Sequence, residues 1–279
     1  MALPGLLIVF SLFGYLIIDC FHMSFNQVKP MLHIYKYVGL KNYINAFKDE
    51  DFIQAIFRNV VYTVVVVIFS LLIGMIEALI VNKKFRGNAF IRIIFIAPMI
   101  LIPAATGIIW IMLYNTDFGW INQFISFLGG TRFPFLGSKD LAFWSVIVTD
   151  IWGWAPFMFI ILLAGLKSLP KEPFEAASID GSSSVQTFRY ITLPLLRPVV
   201  VIAVILKSVD TFRAFDYMWV MTQGGPGNAS QILSTIIYRT GFRLYLYGYG
   251  SALSIIAMFI SLIISVFMII YYTRRGRTE

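Results

Sequence analysis

Glu175-Ala176-Ala177-Ser178-Ile179-Asp180-Gly181 is followed, after nine intervening residues, by Ile191-Thr192-Leu193-Pro194. Both segments lie in a polar island, residues 166–197, set inside an otherwise apolar chain. Proline suits the first turn of a helix and acids there complement its positive dipole end, so Glu172-Pro173 opens a short helix from about Pro173 to Asp180. Gly181 then permits a turn that a side chain would hinder. Ser182-Ser183-Ser184 offers capping oxygens for a second short helix reaching about Tyr190. Leu193-Pro194 is expected to end that helix, with Pro198 at the point of re-entry into an apolar segment. Two short helices at an angle make a compact knob between two long hydrophobic stretches.

Those stretches set the class. The chain of 279 residues is 59% hydrophobic, has a mean hydropathy of +0.81 and is only 13% charged. A soluble domain carries roughly a quarter charged residues. Apolar runs near 20 residues cross a hydrocarbon core of about 30 Å as helices. An all-α, polytopic membrane protein follows, and one domain, residues 1–279, suffices because no linker or low-complexity tract divides it. The net charge of +8 comes from basic residues scattered through loops, which argues against nucleic acid. Cys20 is alone, so no disulfide framework exists. The first twenty residues lack a basic leader and a small-residue cleavage site, so they read as a retained membrane helix rather than a secretion signal.

Six spans are expected: about 3–23, 57–81, 90–114, 141–165, 198–222 and 248–272. Trp110, Trp120, Trp144 and Trp219 fall near their ends, where interfacial tryptophans collect. Lys83, Lys84, Arg86, Arg92, Lys167, Lys171, Arg189, Arg197, Arg274, Arg275 and Arg277 press against span ends on one side. Lys29, Lys36, Lys41, Lys48, Arg58, Arg132, Lys139, Arg239 and Arg243 are spread through longer loops on the other. The compact set reads as cytoplasmic, with both termini inside. Glu77, near the inner end of the second span, reads as snorkelling or paired with a neighbouring helix.

The fifth span carries Lys207, Asp210, Arg213 and Asp216. Each charge near a membrane-helix centre costs about 2.5–3.5 kcal/mol, while a large apolar residue returns only about 0.3–0.6. This helix cannot face lipid all round. A spacing of three lets Lys207 pair with Asp210, and Arg213 with Asp210 or Asp216. Asp150 in the fourth span lies at similar depth, roughly 13 Å from the outer end at 1.5 Å per residue. Trp152, Gly153, Trp154 and Phe157 follow it. Carboxylates for hydroxyls and flat aromatic faces are what carbohydrate recognition needs, and an internal ion-pair network that only holds helices together is the competing account. Intramembrane ionisable residues point to a functional site by default.

The spacing of Glu175-Ala176-Ala177, Gly181 and Leu193-Pro194 resembles the cytoplasmic coupling loop of ABC-importer permeases, the type I importer fold. Val38-Gly39-Leu40-Lys41-Asn42-Tyr43 looks like the segment after the first span in carbohydrate-importer permeases. Thr211-Phe212-Arg213-Ala214-Phe215-Asp216 and Thr222-Gln223-Gly224-Gly225-Pro226 are similar to the fifth span and outer loop of that group, and Tyr247-Gly248-Tyr249-Gly250-Ser251-Ala252-Leu253-Ser254 to the start of its last span. The likeness is to the maltose-, trehalose- and polyol-type permeases. The chain begins almost at its first span, without the cytoplasmic leader of many such proteins.

That resemblance implies a knob seated in a groove of an ATPase. Glu175 there meets a basic group, Ala176 and Ala177 allow close approach and Gly181 sets the angle. It implies sugar contacts from Asp150 to Phe157, and an outer loop at Gly224, Gly225 and Pro226 that faces a binding protein. It also implies partners: a second homologous permease, two nucleotide-binding ATPase subunits, an extracytoplasmic solute-binding protein and a sugar, in a bacterial or archaeal cytoplasmic membrane. No GxxxxGK[ST] phosphate loop is present, so ATP and magnesium are expected in the ATPase and no cofactor in this chain. Neither catalysis nor a metal site is expected, since His22 and His33 lack a convergent partner. An ion-coupled secondary transporter stays open as an alternative, but such proteins show internal repeats and none is evident here. An importer of another solute also stays open, because the knob motif alone indicates transport and the loop segments indicate sugar.

Overall fold

A computed structural model describes residues 3–83 and 86–275; the basic residues Lys84 and Arg277 lie outside them. Helix α1 (Leu3–Ser24) leads through a hairpin of β1 (Asn26–Lys29) and β2 (Ile34–Tyr37) to α2 (Lys41–Ala46) and the long α3 (Glu50–Asn82). Then come α4 (Asn88–Ile100), α5 (Pro103–Leu113), α6 (Trp120–Phe127) and α7 (Ala142–Ser168). The short α8 (Glu172–Ile179) and α9 (Ser184–Thr187) precede α10 (Leu193–Phe212), α11 (Asp216–Thr222), α12 (Leu233–Tyr238) and α13 (Tyr247–Arg275).

The helical runs Glu50–Asn82, Ala142–Ser168, Ser184–Phe212 and Tyr247–Phe267 are each long and apolar enough to cross a membrane. The pair α4–α5 makes a fifth if counted as one. Helix α1 covers the first stretch expected to span. The centre of the bundle is α3 against α7, with α10 packed on both. Gly74 makes that approach close: a Cβ there would lie 2.6 Å from Met158 Cβ and 2.7 Å from the Phe159 nitrogen. Around this seam, Met158, Phe159, Leu162 and Leu196 form one buried cluster, and Tyr62, Ile147 and Met218 anchor another.

Several boundaries differ from the expectation. The second span begins at Glu50, not 57, because Asp49 caps α3, its Oδ1 accepting from the Asp51 nitrogen at 3.0 Å, and Glu50 and Asp51 complement the helix dipole. Polar Lys48-Asp49-Glu50-Asp51 is therefore a helix start. The third span is broken by 98° between α4 and α5. Pro103 opens α5, and Ile102 before it is extended, as a pre-proline residue prefers. The fifth span is broken as well, with α10 ending at Phe212 and α11 starting at Asp216.

Leu193-Pro194 does not end the second short helix. Helical structure runs from Ser184 to Phe212. Pro194 has no N–H for the carbonyl four residues back, and the chain absorbs this in a π turn over Phe188–Thr192, where the Leu193 nitrogen donates to Phe188. The segments between the long helices also depart from the purely helical reading. The hairpin pairs Asn26 with Tyr37 through to Lys29 with Ile34, and α12 packs against α3 and α13.

Candidate functional site

Asp150, on α7, is 2% exposed. Burying an unpaired carboxylate is costly, and neighbouring helices supply its partners. Tyr62 of α3 donates its hydroxyl to Asp150 Oδ2. From α10, Lys207 Nζ lies 3.4 Å from Asp150 Oδ1 and 3.5 Å from Asp210 Oδ2. The same ammonium sits 4.6 Å from the centre of the Trp154 ring, a cation–π contact. Lys207 is fully buried, whereas the Asp210 side chain is about half exposed, so one carboxylate is locked and the other is open.

The open side is a cavity of about 310 Å³ whose lining includes Asp150, Trp154, Lys207, Asp210, Arg213 and Asp216, along with Pro103 and Tyr217. It sits at the two helix breaks. Breaks inside a membrane need neighbours to satisfy the freed backbone groups. Asn59 does this for α10, its Nδ2 donating to the Phe212 carbonyl at 3.1 Å, and the Ser234 hydroxyl donates to the Ala214 carbonyl.

Six of the nine residues expected in the pathway thus share this cavity. Trp152, Gly153 and Phe157 do not line it. Two positions along a helix turn about 200°, so Trp152 points away from Asp150; it is 40% exposed and packs on Trp110 with ring centres 5.6 Å apart. Gly153 is buried, and a Cβ there would strike the Tyr217 hydroxyl. Phe157 supports Trp154 edge-on, with centroids 6.3 Å apart.

The expected pairing of Arg213 with Asp210 or Asp216 is not formed among the described residues. The helix ends at Phe212, so the spacing of three no longer applies. Arg213 Nε instead donates to the Val209 carbonyl at 3.4 Å. Tyr62 and Asn59 were missed. A tyrosine or asparagine within an apolar span needs a hydrogen-bond partner, and that need was a readable signal.

At the opposite end of α7, Pro173 occupies the first turn of α8, and Glu175 and Ala176 are exposed while Ala177 is buried. Gly181 takes a left-handed φ of 70°, and a Cβ there would meet nothing within 4 Å, so the backbone rather than crowding selects glycine. Ser183 and Gln186 form a reciprocal capping box at the start of α9. Lys83, Lys167, Lys171, Phe174 and Glu175 line a groove of about 760 Å³ at the base of this knob.

The segment after α11, expected to face a binding protein, packs against the bundle. Gly224 is buried, Gly225 and Pro226 are half-buried, and the Ser230 hydroxyl donates to the Gly225 carbonyl at 2.6 Å. Asn228 ties it to Asp51 at the start of α3 and accepts from Arg239 at 2.6 Å.

Residues 70–278 match the family described as binding-protein-dependent transport system inner membrane component. The chain belongs to that family. This inner membrane component is a permease subunit and not an enzyme. Among relatives of the permease, the trehalose/maltose transport system permease protein MalF of Thermococcus litoralis is 34% identical over 99% of this chain and 92% of its own. A probable ABC transporter permease protein, y4oQ of Sinorhizobium fredii, is 37% identical over 82% of this chain and 74% of its own. Among solved structures, a chain of a bacterial ABC transporter that imports the acidic polysaccharide alginate superposes with a TM-score of 0.86. That match covers 98% of the permease and 93% of the other chain at 23% identity, and it bears on the fold alone.

Proposed function

We propose that this permease forms half of the translocation pathway of an ATP-driven, binding-protein-dependent sugar importer and works by alternating access. The observation that carries this reading is Lys207, held between Asp150, Asp210 and the face of Trp154 in a cavity at the break of a membrane helix. Half-exposed Asp210, with Arg213 and Asp216, offers acceptors and donors for sugar hydroxyls, and Trp154 offers an aromatic surface for the apolar side of a ring. The locked Asp150–Lys207 pair keeps that lining in place. The likeness to a trehalose/maltose permease and the motifs around Asn42, Phe215 and Gly225 favour a sugar over another solute.

The proposal includes six spans, with α4 and α5 making one and α10 and α11 another, in a single transmembrane permease domain. Both termini lie in the cytoplasm. Half a pathway needs a second permease, and its energy comes from two ATPase subunits that hold ATP and magnesium. The knob of α8 and α9, residues 166–197, is read as the coupling loop, with exposed Glu175 and Ala176 offered to the ATPase while Ala177, Gly181, Leu193 and Pro194 shape it. Around Gly224, Gly225 and Pro226, the segment packed over Asp51 forms the floor on which a solute-binding protein rests.

The test is reconstitution of the permease with its partners in vesicles, followed by ATP-dependent uptake of labelled trehalose or maltose. Trp154→Ala should cut uptake at unchanged assembly. Uptake equal to that of the unaltered protein would remove the cavity from the pathway.

A further inference from the structure

On the orientation proposed above, the outer rim of the bundle holds a second site, separate from the cavity at Lys207. The segment from Leu40 to Lys48 is a short helical run, with Ile44 donating to the Leu40 carbonyl and Phe47 to that of Tyr43. It has three faces. Asn42 and Ala46 are buried, and Asn42 Nδ2 donates to the carbonyls of Ser24 at 2.8 Å and Asn26 at 3.0 Å, which fixes α2 on the hairpin. Leu40, Ile44 and Phe47, at 61%, 53% and 63% exposure, form an uncovered apolar row. Lys41, Asn45 and Lys48 form the third face, and they line a pocket of about 520 Å³ with Lys29, Gln27 and Tyr249.

The pocket is net basic, with three lysines against one carboxylate. Its one carboxylate, Asp49, is spent: Oδ1 caps α3 and Oδ2 accepts from Tyr249 at 2.8 Å. Among the described residues, the ammonium groups of Lys29, Lys41 and Lys48 have no ion-pair or hydrogen-bond partner. Asp49 caps α3 and Tyr249 lies in the first turn of α13, two helices long and apolar enough to cross a membrane, so the pocket sits beside their N-terminal ends. Lysines in outer loops run against the usual bias of membrane proteins toward cytoplasmic basic residues.

We propose that this pocket binds the phosphate of an anionic phospholipid headgroup through Lys29, Lys41 and Lys48, with the acyl chains lying along Leu40, Ile44 and Phe47. An apolar row beside an unpaired basic pocket, at the end of two membrane helices, matches a headgroup joined to its tails. An acidic protein surface would match the lysines and leave the row uncovered. Attraction between lysines at a membrane surface and anionic lipid is screened by salt.

The test uses the full chain, stripped of lipid in a neutral detergent and placed in nanodiscs containing fluorescent phosphatidylglycerol or phosphatidylcholine. The unaltered protein should retain phosphatidylglycerol at least about ten-fold better at low salt. Lys29→Gln/Lys41→Gln/Lys48→Gln should reduce that retention to the phosphatidylcholine level, and Ile44→Ser/Phe47→Ser should weaken retention of both lipids. If the triple variant fails to fold, judged by thermal melting, Lys48→Gln alone should still lower the preference for phosphatidylglycerol. Equal retention of the two lipids by the unaltered protein overturns the proposal, as does an undiminished preference in the lysine variants. Displacement of the lipid by an equal concentration of inorganic phosphate overturns it in favour of a free anion. Unchanged lipid retention with loss of binding-protein-stimulated uptake overturns it in favour of a protein surface.

Discussion

Lys207 Nζ stands 3.4 Å from Asp150 Oδ1 although 57 positions separate the two residues, and both side chains are almost wholly buried. The contact joins α10 to α7, and Tyr62 extends it to α3, so one carboxylate ties three helices together. Removing one partner of such a pair leaves a buried charge uncompensated, at a cost of about 3–5 kcal/mol, while replacing both is often neutral. Asp150→Leu alone should therefore lower the melting temperature of the purified chain sharply, and Asp150→Leu/Lys207→Met should recover most of the loss. A double variant no more stable than the single one would show that the pair is not coupled.

Tyr62→Phe should leave the helices packed but free one oxygen of Asp150. Losing a hydrogen bond to a charged group costs about 1.5–3 kcal/mol. A fall in thermal stability of that order, with the chain still inserted, is the expected outcome, and an unchanged melting curve would contradict it.

Where the charges gather was legible in the sequence, because four ions in one apolar segment must find partners and Asp150 lay at matching depth. Where the helices break was not. Pro98 and Pro103 flank the α4–α5 bend, so that signal existed and was read through. Arg213-Ala214-Phe215 carries neither glycine nor proline, and its break rests on Asn59 and Ser234 from distant segments, which only the folded chain brings near. The hairpin was hidden for a similar reason: its anchor is Asn42, whose role depends on two carbonyls some sixteen to eighteen positions away. Trp152 and Gly153 were grouped with Asp150 by adjacency, where helical phase separates them.

Gly74→Leu should separate α3 from α7. Overpacking a close contact typically costs about 1–3 kcal/mol, and the seam at Met158 and Phe159 has no slack. The variant should melt earlier in detergent than Gly14→Leu, where a Cβ would meet nothing within 4 Å. Equal melting temperatures would contradict the packing described.

Glu175→Ala and Gly181→Trp test the knob. Glu175 is exposed, and Gly181 holds a left-handed backbone that a side chain strains by about 1–3 kcal/mol. Both variants should reach the membrane in normal amounts, yet co-purify poorly with the ATPase and lose uptake. Unchanged co-purification and uptake in both would sink the coupling assignment.

Topology has its own check. In a Cys20→Ser background, a cysteine at exposed Lys36 should react in intact cells with a thiol reagent that cannot cross the membrane, and a cysteine at exposed Ser183 should react only after permeabilisation. The reverse pattern would invert the orientation.

The central claim, that the cavity around Lys207 carries sugar, is tested most directly by ATP-dependent uptake through the reconstituted complex bearing Asp150→Leu/Lys207→Met. The account predicts a complex that assembles and hydrolyses ATP at its basal rate but no longer imports labelled trehalose or maltose. Import at the unaltered rate would make the pair a structural tie and take the cavity out of the pathway.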